Sequence, residues 1–163
     1  MNAVDVIRQT NTTSQMVVKA YVEDLSDADL MRRPAAGCNH LAWQLGHLIS
    51  SECMLLNSLA PGAAPELPAG FAEQHAKDKC GSDDPSQFCT KAQYLELWGQ
   101  VQAAMMGALD HVSESDLDKP GPENMQPMFP TAGAVWVLLA THALMHAGQF
   151  VPVRRALGKP VVI

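Results

Sequence analysis

His142 and His146 stand four residues apart in the stretch His142-Ala143-Leu144-Met145-His146. On a helix, positions i and i+4 share a face, with Cβ atoms about 6 Å apart. Two imidazoles so placed can converge on one ion, with Zn–N bonds of about 2.0–2.1 Å. Leu138, Leu139, Ala143, Leu144 and Met145 surround the pair, and polar rings on an apolar stripe cost free energy unless they find partners. A metal is one such partner, and helix carbonyls are another. The zinc-protease pattern H-E-x-x-H has the same spacing, but Ala143 occupies the position of its general-base glutamate, which argues against that chemistry.

His47 adds a third imidazole from a different segment, among Gln44, Gly46, Ser50 and Ser51. Three protein ligands leave one position of a tetrahedral ion open, the pattern of catalytic rather than structural zinc. Three further residues are candidates for orienting the ligand rings. His40 lies seven residues before His47, Glu52 five after it, and Gln149 three after His146. For His40 the competing reading is a solvated helix start; for Gln149 it is an ordinary helix–helix hydrogen bond. Cys38 and Cys53 are too far along the chain from His47 to converge easily as a fourth ligand. The open position is therefore expected to face a pocket, rimmed by residues 61–85 and 118–130. His75 and His111 are read as surface residues, Trp43, Trp98 and Trp136 as core or pocket wall, and the methionines as core filler.

Four helices must position these groups. The first covers about residues 3–24, with Val4, Ile7, Val18, Tyr21 and Leu25 as its stripe and a capping turn at Ser26 and Asp29 after it. The second covers 40–59, with Asn39 as N-cap, leucines at helical spacing, and a stop at Pro61-Gly62. The third covers 91–112 behind a Thr90/Gln93 capping box, and buries Tyr94, Trp98, Val101 and Met105. The fourth starts after Thr131, carries both paired histidines, and ends at Gly158 and Pro160. Pro152 lies inside it, where its missing N–H favours a kink. Residues 61–85 read as a long loop and 118–130, with four prolines, as a stiff linker. The expectation is one all-α domain over 1–163, a four-helix bundle with long connections.

Composition narrows the partners. The chain has 163 residues, a net charge of −6, and 17% charged residues against about 25% in typical domains. Such sparse charge leaves broad apolar helix faces, and a homodimer is expected. The 11 basic residues are scattered, so nucleic acid, which requires clustered Lys and Arg, is not an expected partner. The four cysteines form no C-x-x-C pair. Met1–Thr10 has neither a basic flank nor an apolar run, and the longest apolar stretch, 132–147, is short for a bilayer. A cytoplasmic protein with reduced cysteines and no membrane partner is expected.

Two segments carry a family resemblance. Trp43-Gln44-Leu45-Gly46-His47 fits a Trp-x-x-x-His pattern, and His142 to Gln149 fits His-x-x-x-His-x-Gly-Gln, followed by Leu157-Gly158-Lys159-Pro160. Together they resemble the DinB/YfiT-like superfamily of metal-binding four-helix bundles. The resemblance implies that His47, His142 and His146 hold one divalent ion, zinc or nickel. It also implies an enzyme acting on a small-molecule substrate: a transferase or isomerase that uses a low-molecular-weight thiol on a small electrophile. The alternatives are a metal-dependent hydrolase of small amides or esters, and a non-catalytic metal-binding stress protein.

Overall fold

The computed structural model describes residues 1–161. Their long elements are α1 (Ala3–Val22), α3 (Leu41–Leu59), α5 (Lys91–Leu109) and α7 (Ala132–Ala156), with single-turn helices α2 (Asp27–Leu30), α4 (Phe71–Gln74) and α6 (Glu114–Leu117) between them. No strand is present among the described residues, so the fold is the expected all-α four-helix bundle. α7 packs along α1 and α3, and α5 packs against α3 and α1.

The helix starts follow local chemistry. The Asn2 side chain accepts the Asp5 N–H at 2.8 Å while Asp5 accepts that of Asn2 at 3.0 Å, satisfying two otherwise orphaned donors. Thr90 with Gln93 caps α5, and Thr131 caps α7, as expected. α3 departs from expectation by one residue. Its cap is His40, whose Nδ1 accepts the Trp43 N–H at 3.0 Å, and the Asn39 carbonyl takes up the Gln44 side chain instead. α5 stops at Leu109 rather than 112, because Ser113 and Asp116 form a capping box that starts α6. α7 runs through Pro152 to Ala156.

The core divides in two. One apolar cluster joins Val18, Leu45, Leu48, Trp98, Ala147 and Phe150. The other joins Ile7, Leu56, Met105, Leu109, Trp136 and Leu139. Along the helices, the buried polar residues Asn11, Ser14, Glu52 and Gln102 fall between them. α7 is long and apolar enough to cross a membrane by length and composition. Here Val135, Leu139, Ala143, Ala147 and Phe150 bury one side of it in the bundle.

Both long connections are more ordered than expected. Residues 61–85 contain α4 and a 3-10 turn at Lys77–Lys79, and a further turn at Pro85–Gln87 follows. Phe71 and His75 are buried there, so the expectation of a surface His75 is corrected. The His75 Nδ1–H donates to the Phe71 carbonyl, and the Tyr94 hydroxyl hydrogen-bonds Nε2, both at 2.7 Å. His75 presses so closely on α3 that a Cβ at Gly46 would overlap its ring. Arg33 fastens the same connection, donating to the carbonyls of Cys80 and Ser82 and pairing with Asp83. Residues 118–130 form a compact turn closed by Gly121 N–H to Pro130 O at 3.0 Å and Ala132 N–H to Lys119 O at 2.8 Å.

Candidate metal centre

α3 and α7 pack against each other so that His47 faces His142 and His146. The ring centroids are 5.7 Å apart for His47–His142, 5.4 Å for His47–His146 and 5.0 Å for His142–His146. One ring nitrogen from each lies within 4.8 Å of the others, and among the described residues no carboxylate or thiolate joins this group. Nitrogens bonded to one tetrahedral ion stand about 3.3 Å apart, as bond lengths of 2.0–2.1 Å require. Small side-chain rotations close that gap, because all three rings already point into one space.

The electrostatics suit a cation ligand set. Burial pushes the His146 imidazolium down to about 3 and that of His142 to about 4, with repulsion from the neighbouring rings as the further cause. Burial also lowers His47, followed by the charge of Lys77. The rings are therefore neutral at pH 7 and carry free lone pairs, the form a metal binds. His142 Nδ1 is buried and has no hydrogen-bond partner among the described residues. An orphaned buried nitrogen costs about 1–3 kcal/mol, and a cation or a bound molecule is one way to satisfy it. The donor set, its protonation and this orphaned atom all fit a divalent ion, so the triad can hold a metal.

The surroundings hold the rings in place. The Trp43 indole stacks on His47 with centroids 4.9 Å apart and planes 5° from parallel, and its Nε1–H donates to the Ala76 carbonyl at 3.1 Å. Thus the 61–85 connection braces the ring that α3 contributes. His146 Nδ1 lies 3.1 Å from Gln44 Oε1. Sequence reading passed over Gln44 as one polar neighbour of His47. Its signal was a polar side chain on the buried stripe of α3, but only the packing of α3 on α7 reveals its partner.

The sequence matches the DinB superfamily over residues 10–150. The chain belongs to the DinB superfamily. A conserved protein from Enterococcus faecalis, known from its crystal structure, has the same fold: the TM-score is 0.71 over 98% of this chain and 99% of that one, at 18% identity. No curated protein matches the chain.

This DinB-superfamily chain places the three ring-orienting candidates elsewhere. His40 spends Nδ1 on the α3 cap, and its Nε2–H reaches the Ser82 carbonyl at 3.1 Å. Glu52 is fully buried and accepts from Gln102 Nε2 at 2.5 Å. Gln149 is exposed. Among the described residues, none of the three hydrogen-bonds a triad ring, because each helix position turns it toward a different neighbour. The expected shared pocket rim also separates. Residues 71–90 contact the triad end through Trp43 and Gly46. Lys119, Pro120, Gly121 and Pro122 instead line a cleft of about 390 Å³ with Ser58, His111 and Trp136, in the half of the bundle that holds the other core cluster.

Proposed function

We propose that His47, His142 and His146 bind one divalent ion, zinc or nickel, and that the protein is a metal-dependent enzyme that uses a low-molecular-weight thiol on a small electrophile, as an S-transferase or isomerase. The observation that carries this reading is a converging set of three neutral imidazoles, joined by no fourth protein ligand among the described residues. When bound, such an ion supplies Lewis acidity, which lowers a thiol pKa from about 8.5 and makes thiolate available at neutral pH.

The chain's own residues supply the rest. His47, His142 and His146 offer uncharged nitrogens, so none competes with a proton at pH 7. Trp43 walls one side of His47 and shields that face from water. The triad rings are only half-buried, which leaves a small molecule a route from the surface. Lys77 brings positive charge near His47 and favours an anionic group on the ligand. Hydrolysis has less support, since Glu52 and His40, two of its three candidate proton-transfer groups, are committed to Gln102 and Ser82. A cytoplasmic homodimer without nucleic-acid or membrane partners completes the proposal, resting on the acidic balance and on exposed Met16, Met54, Val137 and Met145.

The test is elemental analysis of protein purified without chelators or nickel affinity, since a three-histidine site takes whatever metal is abundant. Thiol conjugation and thiol-independent hydrolysis are then screened on the loaded protein. About one zinc or nickel per chain with thiol-dependent turnover is expected. Metal with thiol-independent turnover would support the hydrolase, and stoichiometric metal with neither activity would support a non-catalytic protein.

A further inference from the structure

Gln44 is fully buried, and its side chain has two partners of fixed character. At one end stands the Asn39 carbonyl, 2.8 Å away, which can only accept. The Gln44 atom facing it is therefore the NH₂ nitrogen. The other end is then the amide oxygen, which can only accept as well. His146 Nδ1, 3.1 Å from that oxygen, must donate. A neutral imidazole carries one N–H, so Nε2 is left with the lone pair. One backbone carbonyl at the start of α3 thus sets the proton position on a ring of α7.

We infer that Gln44 is the positioning residue of the triad: through Asn39 O and His146 Nδ1 it fixes His146 as the Nδ1–H tautomer and presents Nε2 to the ion. This rests on the metal reading above. Metal-binding histidines generally have such a partner, and losing one costs 10–100-fold in affinity. Here the partner is a neutral amide instead of the common carboxylate, so it orients the ring without adding negative charge. A bound ion would then keep more of its charge for a further ligand. The other two rings have different supports: His47 is stacked on Trp43, and His142 Nδ1 has no protein partner among the described residues. Among the described residues, His146 is the one ring of the three whose tautomer follows from its hydrogen bonds.

The experiment has two independent arms. In the first, long-range ¹H–¹⁵N correlation on the metal-free protein reads the His146 tautomer. Nδ1–H with an unprotonated Nε2 is expected, and a proton on Nε2 would overturn the inference whatever metal does. In the second, zinc affinity is measured by competition with a chromophoric chelator. Gln44→Met should weaken zinc 10–100-fold and leave His146 a tautomer mixture. Gln44→Glu, whose buried carboxyl can accept from Nδ1–H and, when protonated, donate to the Asn39 carbonyl, should hold affinity near the wild-type value with Nδ1–H retained. Wild-type affinity in Gln44→Met overturns the positioning role. If Gln44→Met does not fold, Gln44→Glu decides: zinc binding weakened as if the acceptor were absent refutes the role. Wild-type protein that binds no zinc but shows the Nδ1–H tautomer refutes the metal reading alone.

Discussion

His47 and Glu52 lie five residues apart on α3, and each belongs to a buried polar group, but the two groups are built for different ends. Around His47, three rings from two helices remain half-buried and neutral, and their nitrogens converge. Around Glu52, burial is complete, the carboxyl is pushed well above its usual range, and the partner is the Gln102 amide of α5. In both places desolvation removes charge, since burial penalises the ionised form. The consequence is opposite. A neutral imidazole keeps the lone pair that a metal binds, whereas a carboxyl whose pKa is raised by burial holds its proton more tightly against any cation. Exposure and convergence, more than polarity, separate a site from a structural layer.

The largest expected effect tests that contrast directly. His146→Ala should lower zinc affinity by more than 100-fold while circular dichroism retains most of the helix signal, because two ligands cannot hold what three did. Glu52→Gln should leave zinc affinity unchanged. Retention of metal by His146→Ala would break the comparison, and collapse of the helix signal would point to a structural role for the triad.

Stability against pH separates the two groups by sign. The triad histidines have lowered folded pKa values, so the unfolded chain takes protons that the folded one refuses. Their contribution is intact above about 6.5 and falls as pH drops toward about 4, where His142 titrates. Glu52 has a raised folded pKa. Its contribution is present below the ordinary carboxyl value of 4.5 and is lost as pH climbs from there toward the folded pKa. Urea midpoints of metal-free protein between pH 4 and 8 should therefore fall on the acid side. Glu52→Gln should raise the midpoint at pH 7 more than at pH 4. An equal change at both values would mean that Glu52 is ionised in the fold.

Gly46→Ala probes how the triad end is braced. The new methyl meets the His75 ring, and overpacking costs about 1–3 kcal/mol. A lower thermal midpoint with altered Trp43 fluorescence is expected, with zinc binding weakened only modestly. The same substitution at Gly99, where a Cβ meets nothing, should change little. The smallest signal concerns assembly. Light scattering at micromolar concentration should give twice 17.6 kDa, and a monomer mass would remove the dimer.

The sequence alone determined the four long helices, two of their N-terminal caps (Thr90 and Thr131) and the three histidines. These rest on local rules: helical spacing, capping side chains, and the i, i+4 geometry of His142 and His146. The family motif then linked His47 to that pair, although the two segments are almost a hundred residues apart. Tertiary structure decided what lies beside them. Gln44 became the partner of His146 and Gln149 did not, because the rotation of α3 against α7 selects which side chain meets the ring. His75 went inside because Gly46 leaves room for it, and a glycine's empty face shows only when something fills it. Glu52 turned toward α5. Local spacing tells which residues share a helix face, but the partner of that face is set by the packing of whole helices. That packing depends on the summed burial of two apolar clusters, with no signature in any single stretch of sequence.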